Sequence, residues 1–128
     1  KQLDLRFIEP ELRENRGEID ALFNNNLPEL VREDDIKGDL HTHTNATDGK
    51  YSMEEMVKAA EKKGYEYYAI TDHSKRVAMA GGLDEKKLAE QIEQIEELNS
   101  KMKNIQILKS IEADILEDGS PDLPNNIL

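Results

Sequence analysis

The sequence predicts an α/β fold: the first three βα units of a larger β/α barrel, preceded by a short helical arm. Three observations predict it. After residue 35, apolar strand-like runs alternate with amphipathic helical stretches. All three histidines fall where those runs end. The stretch before residue 35 follows neither pattern. Strand, helix, strand, helix, strand implies parallel pairing through crossover helices. Parallel strands need covered faces and neighbours on both edges, so three make a poor closed unit and later strands are expected beyond residue 128.

Residues 1–34 read as a connecting arm. Glu9-Pro10 is expected to open a helix, because Pro is tolerated at the first helical position, and Gly17 to interrupt it. Ile19, Leu22 and Phe23 form an apolar stripe expected to pack on a neighbour, ended by Asn24-Asn25-Asn26 and Pro28. Ile36 to His41 reads as the first strand. Ser52-Met53-Glu54-Glu55 is a capping box. The helix it opens, over Met53–Lys63, should bury Met53, Met56, Val57 and Ala60 and close at Gly64. Glu66 to Thr71 is the second strand. Asp84 caps a helix reaching Lys101, with Leu83 and Leu88 placed as a hydrophobic staple. Leu88, Ile92, Ile95 and Met102 share its inner face, and Glu93, Glu96 and Glu97 its outer one. Ile105 to about Glu112 is the third strand.

Composition narrows the chemistry. The chain has 128 residues and does not begin with Met, so it reads as a segment of a longer protein. No apolar run is long enough for a bilayer and nothing resembles a signal peptide, so no membrane partner is expected; with no cysteine in the chain, a reducing cytoplasm is the natural setting. The absence of cysteine excludes disulfides and thiolate zinc sites, leaving nitrogen and oxygen to hold any metal. Seventeen Lys plus Arg against 28 Asp plus Glu give a net charge of −11. Such a surface repels a nucleic-acid backbone, so contact with DNA would need bound cations or a basic neighbour.

The polar residues at the strand ends carry the chemistry. His41 and His43 end the first strand, Asp72 and His73 the second, Glu112 and Asp114 the third. In β/α barrels these ends converge on one rim, where active sites form. In extended backbone, residues two apart point the same way, so His41 and His43 can face one cation. Alone, His-x-His fits a pair of surface histidines equally well, Asp72 fits a helix cap or turn with His73 a bystander, and Asp48-Gly49 fits a common turn. Taken together, the three strand ends favour a metal site. Glu112 follows an apolar run and needs a partner. Asp114 has a weaker claim, since Glu117 and Asp118 continue an acidic loop. Mixed imidazole and carboxylate ligands suit zinc, manganese or iron, ions that polarise phosphoryl oxygens and activate water. Nucleophilic catalysis by Cys is excluded, and Ser74 lacks the context for it.

Asp39-Leu40-His41-Thr42-His43-Thr44, Asp48-Gly49, Ile70-Thr71-Asp72-His73-Ser74 and Ile111-Glu112-Ala113-Asp114 resemble, in order, the opening motifs of the PHP (polymerase and histidinol phosphatase) family. The resemblance implies a distorted, TIM-like β/α barrel with a three-metal site that hydrolyses phosphoesters. It implies that His41 and His43 ligate the first metal and that Glu112 bridges the first and second. Asp48 and His73 would ligate the third, with His41, His43, His73 and Glu112 as the catalytic set. The arm, from Phe7 to Ile19 and again at Leu27-Pro28-Glu29-Leu30, is similar to the segment preceding the PHP domain of prokaryotic family X DNA polymerases. Domain boundaries follow: 1–34 as the arm, 35–128 as the front of the PHP domain. In that setting the partners are DNA and a polymerase core in the same parent chain, with 3′–5′ exonuclease activity serving repair. The family's remaining ligands belong to later strands, so the 128 residues alone are expected to bind metal weakly and to hydrolyse nothing. An open edge after the third strand would let copies associate. A stand-alone phosphatase of the histidinol-phosphatase type, and a PHP module with no catalysis, are the alternative readings.

Overall fold

The computed structural model describes residues 6–127. The chain divides into two compact units, Lys1–Glu33 and Asp34–Leu128.

In the first unit, Pro10 opens only a single 3-10 turn, Pro10–Leu12, and not the longer helix expected. The cause is local. Glu18 reaches back to accept the backbone N–H groups of Asn15 (2.9 Å) and Arg16 (2.7 Å), while Asn15 and Gly17 take positive φ. Helix α1 therefore starts late and is short, Glu18–Phe23. Of the expected stripe only Leu22 is buried; Ile19 and Phe23 are exposed.

In the second unit, β1 (Gly38–Asp39), β2 (Tyr67–Ile70) and β3 (Gln106–Lys109) form one parallel sheet in the order β1-β2-β3. Helices α2 (Met53–Lys62) and α3 (Glu85–Lys101) make the crossovers. Ser52 and Glu55 form both halves of the capping box, and the positive φ of Gly64 ends the helix as its sequence position predicts. Asp84 accepts the Lys87 N–H at 2.9 Å. Leu83 and Leu88, the expected staple, are buried together with Leu123.

One core cluster decides the layering. Met53, Val57 and Ala60 of α2 and Ile95 of α3 meet Tyr68, Ile70, Ile105 and Ile107. Tyr68 and Ile70 are two apart on β2 and point to one face, so both helices cover the same side of the sheet. Burying side chains of this kind is worth about 1.5–3 kcal/mol each before conformational entropy is counted.

The strands are shorter than the apolar runs suggested, and side chains explain where β1 stops. Past Asp39, its own Oδ1 takes the His41 N–H (3.1 Å), and the Thr42 N–H turns to Thr71 Oγ1 (2.8 Å). A single backbone bond, Thr71 N–H to the Thr42 carbonyl at 2.8 Å, keeps the two segments side by side. On β3, Asn99 pairs with both backbone groups of Ile107, each at 2.8 Å, and so occupies part of the edge facing away from β2. After β3 the pairing lapses and returns at His73 and Glu112.

Candidate metal centre

Strand ends and their loops bring five of the named side chains together. His41 and His43, two apart in extended chain, turn their Nε2 atoms to within 3.1 Å of each other. Glu112 Oε2 lies 3.1 Å from His41 Nε2 and 3.2 Å from His43 Nε2. His73 Nδ1 stands 3.5 Å from the same oxygen. On the other side of His43, Asp48 is 3.4 Å from His43 Nδ1 and 3.3 Å from His73 Nε2. The His43 and His73 rings are 4.4 Å apart. The result is two donor groups, His41–His43–Glu112 and His43–Asp48–His73, sharing an imidazole.

These donors fit a cation. Metal–nitrogen and metal–oxygen distances of about 2.0–2.2 Å put neighbouring ligand atoms roughly 3.0–3.4 Å apart, depending on coordination geometry. The triangle of His41 Nε2, His43 Nε2 and Glu112 Oε2 has sides of 3.1, 3.1 and 3.2 Å. His43 Nδ1 is buried and lacks a hydrogen-bond partner. For Asp48, desolvation pushes the carboxyl up. The charges of His73 and His43, with hydrogen bonds from His73 and from its own backbone, outweigh it and hold the group below the usual carboxylate range. It is thus ready as an anion.

The loop that carries Asp48 is folded back tightly. The Gly49 N–H and the Thr47 N–H both reach the Thr44 carbonyl, at 2.9 and 3.2 Å, and the Asn45 N–H reaches the Tyr51 carbonyl at 2.8 Å. A Cβ on Gly49 would lie 2.2 Å from the His43 carbonyl oxygen, so only glycine allows this return. The centre sits on an open rim. A groove of about 590 Å³ opens elsewhere, beside α2 and α3, with Ser52, Gln91 and Lys101 among its walls and none of the histidines.

Residues 39–126 match the family model of the PHP domain. The chain belongs to the PHP domain family. It is similar to a Bacillus subtilis (strain 168) protein named DNA polymerase/3'-5' exonuclease PolX, with 43% identity over 124 residues, 97% of this chain and 21% of that protein. It is also similar to a protein named "Probable phosphatase" from Acetivibrio thermocellus, with 35% identity over 92 residues, 70% of this chain and 36% of that protein. The chain therefore spans about a fifth of the first relative and about a third of the second.

Within this PHP domain, two polar residues matter that lie outside both donor groups. Asp72, grouped in the sequence with the strand-end ligands and on its own fitting a cap or turn, is fully buried and accepts four hydrogen bonds. Gln91, on the inner face of α3 between Leu88 and Ile95, is buried and supplies one of them. A Gln at a core-facing helix position was the available signal. Asp114 lies outside both donor groups; its nearest charged partner is Arg76 at 3.9 Å.

Proposed function

We propose that this chain is the opening part of a distorted, TIM-like β/α barrel that hydrolyses phosphoesters with divalent metal ions. The triangle of His41, His43 and Glu112 donor atoms carries the reading. His41, His43 and Glu112 would hold one ion, and Asp48 with His73 would hold part of another. His41, His43, His73 and Glu112 form the catalytic set. Nitrogen and oxygen ligands favour zinc or manganese, with iron the third option. When bound, such an ion polarises a phosphoryl oxygen and supplies hydroxide near neutral pH. The protein's own groups do the rest. Glu112 Oε2 stands between the three imidazoles and orients them. Asp48 faces His43 Nδ1 and His73 Nε2 and aligns the pair. The cations also offset a net charge of −11 where a phosphate must approach.

The barrel reading is supported by the layering. Sequential parallel strands with both crossover helices on one face are the arrangement of consecutive βα units in a β/α barrel. The domain reading assigns 1–34 to an arm and 35–128 to the front of the PHP domain. Within a longer protein we assign it to a family X DNA polymerase, acting on DNA as a 3′–5′ exonuclease in repair, in the cytoplasm, beside a polymerase core. The observation favouring this over a stand-alone phosphatase is that similarity to the Bacillus protein covers 97% of the chain, the arm included. Among the described residues no helix is long and apolar enough to cross a membrane. Association of copies through the β3 edge has to displace Asn99 from Ile107.

The test replaces His41 and His43 by Ala in a longer protein containing this chain. Metal-dependent removal of 3′ nucleotides should vanish while nucleotide addition persists. Unchanged exonuclease activity defeats the assignment. Activity on small phosphomonoesters alone selects the phosphatase, and no hydrolysis by the unaltered protein selects the non-catalytic module.

A further inference from the structure

Asp72 follows β2 and is completely buried. Its Oδ1 accepts the Thr44 N–H at 2.7 Å and the Thr47 hydroxyl at 2.6 Å. Its Oδ2 accepts the Thr44 hydroxyl at 2.7 Å and the Gln91 amide at 2.6 Å. All four donors are uncharged. Burying a carboxylate is costly unless its lone pairs are filled, and here four donors fill them.

The positions of those donors are informative. Thr44 and Thr47 lie between His43 and Asp48 in the chain. Asp72 is also the neighbour of His73, and its carbonyl accepts the Glu112 N–H at 3.1 Å. One residue thus touches each segment that supplies a donor group. We propose that Asp72 is a positioning residue for the metal centre. It fixes residues 44–47 so that Asp48 stays on the His43–His73 pair, and Gln91 anchors Asp72 to α3. The proposal rests on the metal-binding reading above.

The separable element is Thr47. Its hydroxyl donates to Asp72 Oδ1 at 2.6 Å and lies 3.4 Å from Asp48 Oδ1, so it links the buried carboxylate to the ligand, whereas Thr44 holds the His43 side of the loop. Thr47→Val keeps the shape and removes the hydroxyl, and Thr47→Ser keeps the hydroxyl. Asp72→Ala is the stronger change, but it strands the buried Thr44 N–H and the chain could fail to fold, so Thr47 carries the test.

The experiment titrates the full 128-residue chain and its variants with Zn²⁺ and follows the ¹⁵N shifts of each imidazole. Removing groups that orient ligands typically costs about 10- to 100-fold in metal affinity. In Thr47→Val, the response of His73 should need about tenfold more Zn²⁺, while that of His41 stays put and Thr47→Ser matches the unaltered chain. A merely structural role would lower the melting temperature and leave the two responses in their original ratio. That outcome, or equal weakening at both sites, overturns the proposal. If the unaltered chain shows no Zn²⁺ response at any histidine, the metal reading fails instead. Amide exchange without metal then decides: faster exchange in Thr47→Val at Thr47 and Gly49, whose N–H groups close the loop on the Thr44 carbonyl, supports positioning, and unchanged values overturn it.

Discussion

Replacing Gly49 by Ala tests how tightly the loop geometry sets the centre. The new Cβ would stand 2.2 Å from the His43 carbonyl oxygen and 2.6 Å from the carbonyl carbons of His43 and Thr44. All three are backbone atoms, so no side chain can swing aside. Separation to the 3.0 Å that real contacts require means a displacement of about 0.8 Å. The 43–44 peptide cannot yield easily, because the Thr44 N–H and hydroxyl are both held by Asp72. The Asp48–Gly49 side therefore moves outward and takes the carboxylate away from His43 and His73. Overpacking of this kind costs about 1–3 kcal/mol, and functional groups tolerate displacements of only about 0.5 Å. Thermal denaturation without metal should show a melting temperature lower by roughly 4 °C or more. Zn²⁺ titration should show affinity at the Asp48 group reduced about tenfold or more. A Gly49→Ala chain that melts and titrates like the original would refute the steric argument.

Other outcomes follow from the same structure. Ser52→Ala removes the cap of α2 and should cost about 1 kcal/mol, read by denaturant unfolding. Glu55 is held below the usual Glu range, first by the Ser52 hydroxyl and then by the Ser52 N–H. A lowered folded pKa gives stability that is present above the ordinary Glu value, about 4.3, and lost as pH falls through the folded value. Glu55→Gln should therefore flatten the acid limb of the stability–pH curve, and an unaltered limb counts against the capping box. Ile95→Ala, in the core shared by both helices, should destabilise by about 2–5 kcal/mol in the same unfolding assay. The 128-residue chain should bind divalent metal more weakly than a longer protein carrying the later strands, in parallel titrations; equal affinity would show that these ligands suffice.

How much of this was legible in the sequence depended on whether a feature is local. The capping box at Ser52, the stop at Gly64 and the Leu83–Leu88 staple follow from nearest neighbours, and all are present. Parallel pairing followed from the alternation, and the gathering of His41, His43, His73 and Glu112 from their places at strand ends, with Asp48 joining from the loop after the first. What failed was decided by side chains capturing backbone and side-chain groups, some within a few residues and some across the fold. Nothing near Asp72 announces that four donors, between nineteen and twenty-eight positions away, will converge on it. Glu18 defeats the helix expected from Pro10 by capturing two N–H groups ahead of it. The true length of β1 was set by Asp39 and Thr71 in the same way.

The central claim is that an ion sits among His41, His43 and Glu112. The most direct measurement is anomalous X-ray diffraction from crystals of the chain grown with Mn²⁺ or Zn²⁺. An anomalous peak is expected about 2.0–2.2 Å from His41 Nε2, His43 Nε2 and a Glu112 carboxylate oxygen, with a second, weaker peak among His43, Asp48 and His73. No peak at the first position at millimolar metal, or the three side chains turned away from one another around a peak elsewhere, would contradict it.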